Sequence, residues 1–168
     1  MTSTAALQAQ CRIQTPLGPM TLAATAAGLA GAWFDGQAHH PGPLPAPAEP
    51  AHPHLAQAAR ELSLYFDGSA TVGWTGFGVP LDAQGTPFQQ QVWQALCGIG
   101  PGRAISYGEV ARQIGRPTAM RAVGAAIGRN PISVIVPCHR VLGRDGTLTG
   151  YAGGLDRKRF LLQHEGRL

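Results

Sequence analysis

Along the first third of the chain, apolar residues come in short runs separated by turn-forming residues. Cys11 to Thr15, Met20 to Thr25 and Leu29 to Phe34 are the runs, with Pro16-Leu17-Gly18 and Ala26-Ala27-Gly28 between them. That pattern predicts a three-stranded β-meander. Six prolines between Gly36 and Pro53 then remove backbone donors and fix φ, so residues 36–53 are expected to form a linker or long surface loop. From His54 to Phe66 the period changes: Leu55, Ala58, Ala59, Leu62, Tyr65 and Phe66 recur at helical spacing before Asp67-Gly68 stops them. Thr71 to Leu81 reads as extended chain, its Val72, Trp74, Phe77 and Val79 interrupted by glycines.

The second half is helical in pattern. Thr86-Pro87 supplies an N-cap and a proline for the first helical position, and Phe88, Val92, Trp93 and Leu96 form the apolar stripe behind them. Cys97 belongs to this helix and is expected to fill core. Ser106-Tyr107-Gly108-Glu109 is a Ser-x-x-Glu capping box opening a helix through about Ile114. After Gly115-Arg116-Pro117, Thr118 is expected to cap another helix through about Arg129. Two helices joined by so short a turn form a helix-turn-helix, the second in the recognition position. Ala119, Ala122, Gly124, Ala125, Ala126 and Gly128 make that second helix thin, although each interior glycine costs about 0.5–1 kcal/mol. Either another helix packs tightly on it, or a partner approaches its backbone with Arg121 projecting from its first turns.

Val134-Ile135-Val136 reads as a short buried strand, and Pro137 ends its pairing just before Cys138. Because side chains alternate on an extended backbone, His139 is expected to reach the sulfur only through a bridging water. A buried, inert cysteine is the ordinary alternative. Gly143-Arg144-Asp145-Gly146 is a turn, Thr147 to Tyr151 leads to Gly153-Gly154, and Leu155 to His164 reads as a last helix closed by Glu165-Gly166.

Composition narrows the classes. The 168 residues, 44% hydrophobic, suit one ordinary domain or two small ones. No apolar stretch approaches membrane-spanning length and Met1 to Gln10 lacks a signal-peptide pattern, so a cytoplasmic location without membrane association is expected. Cys11, Cys97 and Cys138 lack metal-like spacing and are expected to be free thiols. His39, His40, His52 and His54 lie irregularly in or beside the proline-rich loop, where solvent exposure rather than metal binding is expected. Charge is uneven: residues 1–102 carry two arginines against five acids, whereas residues 103–168 carry eleven Lys and Arg against four acids, a local net of +7. Such an excess beside a helix-turn-helix favours a nucleic-acid partner.

Taken together, Pro137-Cys138-His139-Arg140, Arg121-Ala122-Val123-Gly124, Asn130-Pro131, Gly150-Tyr151-Ala152-Gly153-Gly154-Leu155 and His164-Glu165-Gly166 closely resemble the O6-alkylguanine-DNA alkyltransferases, or methylated-DNA-protein-cysteine methyltransferases, of the stand-alone bacterial type. The likeness covers about residues 85 to 166. It implies an α+β fold, with a ribonuclease-H-like α/β domain over residues 1–84 and a mainly helical, winged-helix-like domain over residues 85–168. It implies irreversible transfer of an alkyl group from O6-alkylguanine, or less efficiently O4-alkylthymine, to Cys138, with no cofactor and no metal. His139 would be the base, Glu165 the carboxylate that orients it, and Asn130 the brace beneath the turn. Tyr151 would bind the purine ring, backbone around Ala152 and Gly153 the O6 atom, and the carbonyls of Cys138 and Val141 the exocyclic amine. The partner would be double-stranded DNA bound by a monomer through its minor groove. Arg121 would replace the flipped base and Tyr107 press on the flanking phosphate, with Thr118, Ala122 and Arg129 as further contacts.

Overall fold

The computed structural model describes residues 5–68 and 76–168, and the chain divides into two compact units, Met1–Gln84 and Gly85–Leu168. In the first unit, β1 (Ala9–Thr15), β2 (Gly18–Ala24) and β3 (Leu29–Phe34) form an antiparallel sheet in the order β1-β2-β3. Cys11 opposes Leu22, and Leu22 opposes Ala32. The alanines that weaken strand propensity lie in β2 and β3, where almost every side chain is buried and packing outweighs intrinsic preference. Helix α1 (Pro53–Phe66) lays Leu55, Ala58, Leu62 and Tyr65 on the sheet.

The proline-rich segment is pinned to β1. The Gln10 amide donates to the carbonyls of Leu44 and Ala46, while its backbone exchanges hydrogen bonds with Pro47 and Glu49. The segment thereby covers the free edge of β1. The histidines around it depart from expectation: His39 is exposed, but His40, His52 and His54 are half-buried, and the His52 and His54 rings lie 5.5 Å apart. Of the stretch expected to be extended, residues 71–75 lie outside the described residues, and Leu81 makes a single bridge to Leu29.

The second unit packs α2 (Pro87–Cys97), α3 (Tyr107–Gln113) and α4 (Met120–Gly128) against one another. The capping box read at Ser106 and Glu109 forms, and Thr86, read as an N-cap, closes a second box with Gln89. Buried Trp93 of α2 donates its indole N–H to the Ala126 carbonyl of α4 at 2.8 Å. Cys97, expected in the core, is exposed at the end of α2.

Helix α3 ends in a Schellman motif. Gly115 takes φ +71, its N–H bonds Arg112 O, and the Arg116 N–H bonds Ala111 O. Thr118 does not cap α4. The chain turns through Pro117 and Thr118, closed by Ala119 N–H to Arg116 O at 2.9 Å, so that Ala119 holds the N-cap position and Thr118 stays exposed. A two-stranded parallel pair absent from the sequence reading, β4 (Ile105–Ser106) with β5 (Val141–Leu142), ties the start of α3 to the chain after Cys138. Helix α5 (Leu155–His164) follows the glycine loop. No helix among the described residues is long and apolar enough to cross a membrane.

Candidate active site

The expected strand at Val134 to Val136 is a pair of tight turns. Val134 is held at φ +73 with Ile135 N–H bonded to Ser133 O, and Pro137 centres an inverse γ-turn (φ −83, ψ 61) that bonds Cys138 N–H to Val136 O at 2.8 Å. A β-branched residue at positive φ is strained, at a cost of about 1–3 kcal/mol. Asn130 holds that strain. Its Oδ1 accepts from the Ile132 N–H at 2.9 Å, which fixes the amide orientation, and its Nδ2 donates to Val136 O at 2.9 Å and to the Cys138 sulfur at 3.1 Å. Local β propensity loses here because one buried side chain satisfies several backbone groups at once.

Cys138 to Arg140 form a single 3-10 turn, so Cys138 and His139 are not on an extended backbone. Both are buried. The site's carboxylate arrives from the far end of the second unit. Gly166 (φ +77) and Arg167 close a Schellman motif on α5, which fixes Glu165 as its C-cap. Glu165 Oε1 lies 2.7 Å from His139 Nε2. Arg140 grips the same carboxylate, Nε to Oε2 at 2.9 Å and Nη2 to Oε1 at 2.7 Å, and its Nη1 also donates to the Ile99 carbonyl.

The protonation states follow from these contacts. Burial alone would raise the Glu165 pKa, but the hydrogen bonds and charges of His139 and Arg140 outweigh it and leave the carboxyl at about 2. An ionised carboxylate only accepts, so His139 Nε2 carries the hydrogen. Burial holds the imidazole pKa below its ordinary value despite Glu165. His139 is therefore neutral at pH 7, and its Nδ1 is a buried lone pair with no partner among the described residues. Burial also raises the Cys138 thiol, opposed by the Asn130 hydrogen bond and the nearby Lys158 charge. This thiol needs a base to ionise, and His139 has a free acceptor.

Lys158 and Arg140 are parts of the site that the sequence reading did not assign. The Lys158 side chain is fully buried and donates to the carbonyls of Val141 (2.6 Å), Thr149 (2.9 Å) and Gly150 (3.2 Å). Desolvation lowers its pKa to about 8, against the favourable pull of Cys138. Its position carried a signal, because it lies three and four residues before Leu161 and Leu162, with which it shares the helix's buried face.

Tyr107 donates its hydroxyl to the same Thr149 carbonyl at 3.0 Å. Tyr107 of α3 and Lys158 of α5 thus share one acceptor in the loop before Tyr151. Tyr151 and Ala152 are half-buried and Gly153 is buried, its carbonyl bonded by Arg157 at 3.0 Å. The Val141 carbonyl already accepts from Lys158, which leaves it one lone pair. Arg121 and Ala122 are exposed on α4 and Arg129 is exposed at its C-cap. Among the described residues, no cluster of three or more His, Cys, Asp or Glu could hold a metal ion.

A buried thiol beside a histidine–carboxylate pair, on a unit built around a helix-turn-helix, defines a thiol-centred protein of the helix-turn-helix class. The family model for the DNA-binding domain of 6-O-methylguanine DNA methyltransferase matches residues 87–167. The methylated-DNA–protein-cysteine methyltransferase of Mycobacterium tuberculosis is 47% identical over 153 residues, 91% of this chain and 89% of the relative. That of Salmonella typhimurium is 57% identical over 108 residues, 64% of this chain, and the match spans 61% of the relative's length. The solved structure of Mycobacterium tuberculosis OGT in complex with DNA superposes with TM-score 0.84 at 44% identity, covering 95% of this chain and 94% of that one. The chain belongs to the methylated-DNA–protein-cysteine methyltransferase family.

Proposed function

We propose that this protein repairs double-stranded DNA by moving the alkyl group of O6-alkylguanine, and less efficiently of O4-alkylthymine, onto Cys138. The observation that carries this reading is the buried, unpartnered Nδ1 of a neutral His139 whose Nε2–H is committed to Glu165. A water between that nitrogen and the thiol would pass the proton across. The thiolate attacks the alkyl carbon, the S–C bond forms as the O–C bond breaks, and the electron pair leaves with the purine oxygen. The proton lost by the thiol ends on the released guanine ring. The thioether is stable, so each molecule acts once, without a cofactor.

A base inside a duplex is out of reach of a buried sulfur, so the damaged nucleotide must be flipped, at a cost of a few kcal/mol. In this reading Arg121 fills the vacated position and Tyr107, released from Thr149, presses on the neighbouring phosphate. Tyr151, the backbone of Ala152 and Gly153, and the carbonyls of Cys138 and Val141 receive the base. The thin α4 helix supports entry into the minor groove, only about 6 Å wide. A Cβ on Gly128 would meet nothing within 4 Å, and one on Gly124 only the Tyr107 ring at 3.8 Å, so intramolecular packing does not demand either glycine. Thr118, Ala122 and Arg129 would flank the groove. The reading further takes the first unit as ribonuclease-H-like, the second as winged-helix-like, and the protein as a cytoplasmic monomer.

The test is direct. After incubation with a duplex carrying one O6-methylguanine, digestion should yield the Cys138 peptide with methyl in place of the thiol hydrogen. An unmodified Cys138 with the lesion intact would end the transfer reading; tight lesion binding in that case would mark a recognition module instead.

A further inference from the structure

One large side chain on α4, the helix assigned to the DNA, has no part in that scheme. Met120 opens α4 immediately before Arg121 and is 53% exposed, whereas Met20 is fully buried. Its sulfur lies 3.3 Å from where a Cβ on Gly108 would stand, so the thioether rests over the second residue of α3, on a seat that this glycine leaves open. Exposed Arg116, Thr118, Arg121, Ala122, Ala125 and Arg129 share the helix pair with it. Apart from exposed Glu109 and Gln113 on α3, the exposed side chains of the helix pair are cationic or small, and an apolar one of this size stands out among them. The surrounding charge fits a polyanion, and α4 is slim enough for a groove. Methionine is unbranched and polarizable and adapts to irregular apolar surfaces. Proteins that open base steps from the minor groove use apolar wedges, methionine among them.

We infer that Met120 is an apolar wedge working beside Arg121: in the duplex complex its thioether leaves the Gly108 seat and packs on sugar and base edges at the step next to the flipped nucleotide. This rests on the DNA-repair reading above. Arg121 supplies charge and hydrogen bonds to the opened stack, and Met120 excludes water from its neighbour.

The full-length Met120→Ala variant tests this on a duplex with O6-methylguanine beside 2-aminopurine. Repair at subsaturating protein should slow about tenfold, the factor equivalent to 1.4 kcal/mol, and the unstacking-dependent fluorescence rise should shrink. Reaction with free O6-benzylguanine should be unchanged, and Met120→Leu should stay within about twofold of the parent, because the swap nearly conserves volume. The salt dependence of binding should keep its slope, since an apolar contact releases no counterion. An unchanged duplex rate in Met120→Ala would overturn the wedge. So would an equal loss on the free base, which would mark a structural role, or a changed salt slope, which would mark a backbone contact. If the parent protein itself transfers no methyl group, the failure belongs to the repair reading and not to Met120.

Discussion

The two units each hold an arginine against a carboxylate, at nearly the same distance and to different ends. In the first, Arg12 Nη2 lies 2.6 Å from Asp35 Oδ2, with side chains 55% and 43% exposed. In the second, Arg140 Nη2 lies 2.7 Å from Glu165 Oε1, with side chains 7% and 2% exposed. Distance does not separate these pairs; surroundings do. Water screens the first and takes up either ion if the pair opens, so the contact adds little to a sheet already held by buried apolar side chains. The second has no water to fall back on, and each partner depends on the other for solvation. The first unit keeps its charges at the surface, and the second spends its interior on them because His139 and Cys138 need them there.

Glu165→Gln is the strongest way to break that contrast. It leaves Arg140 buried beside a neutral amide, and the loss expected from breaking a buried pair is about 3–5 kcal/mol, read from urea unfolding. The same variant carries a pH signature. The folded carboxyl titrates at about 2, below its ordinary 4.5, so the stabilisation is complete above about 4.5 and disappears as pH falls through 2. The neutral His139 has the same sign, because below its ordinary 6.5 the unfolded chain takes the proton first. Parent stability should therefore fall from pH 5 to pH 2 more steeply than that of Glu165→Gln. Equal slopes would mean that the carboxylate is not solvated by His139 and Arg140.

Asn130→Ala comes next. It strips the partner from the Ile132 N–H and leaves the Val136 carbonyl with the Cys138 N–H alone, and about 1–3 kcal/mol should be lost, together with a slower reaction of Cys138 towards free O6-benzylguanine. A stability loss with unchanged thiol reactivity would reduce Asn130 to a structural brace. The smallest effect belongs to the other side of the comparison. Arg12→Ala should leave the urea midpoint within error of the parent, and a drop comparable to that of Asn130→Ala would show the exposed pair to be more than a surface contact.

What the sequence revealed follows how local each cause is. Thr86 caps α2 and Ser106 forms its capping box with Glu109 because each depends on a few consecutive residues, and Gly166 ends α5 for the same reason; the Gln89 half of the Thr86 box is the structure's addition. The turn under the thiol was misread. Its three β-branched residues favour a strand, and only the side chain of Asn130, supplied from before the run, makes the bent form better. The β4-β5 pair escaped because two residues per strand carry no period. Thr118 is a sound capping residue one position too early, since Pro117 and Thr118 are taken up by a turn. Lys158 and Arg140 carry no such signal of their own, because cations usually mark surface; Leu161 and Leu162, three and four residues on, are the clue to the burial of Lys158.

The niche around Cys138 also bears on what would become of the molecule if Cys138 took up an alkyl group. The sulfur sits in a close-packed pocket, with Asn130 donating to it and the Lys158 charge nearby. A thioether there can no longer become an anion, accepts the Asn130 hydrogen bond more weakly and must find room for at least one carbon where little exists. On the proposed reaction, the alkylated protein would be a looser version of the unreacted one. Susceptibility to proteolysis would in that way record, molecule by molecule, which copies have already met damage.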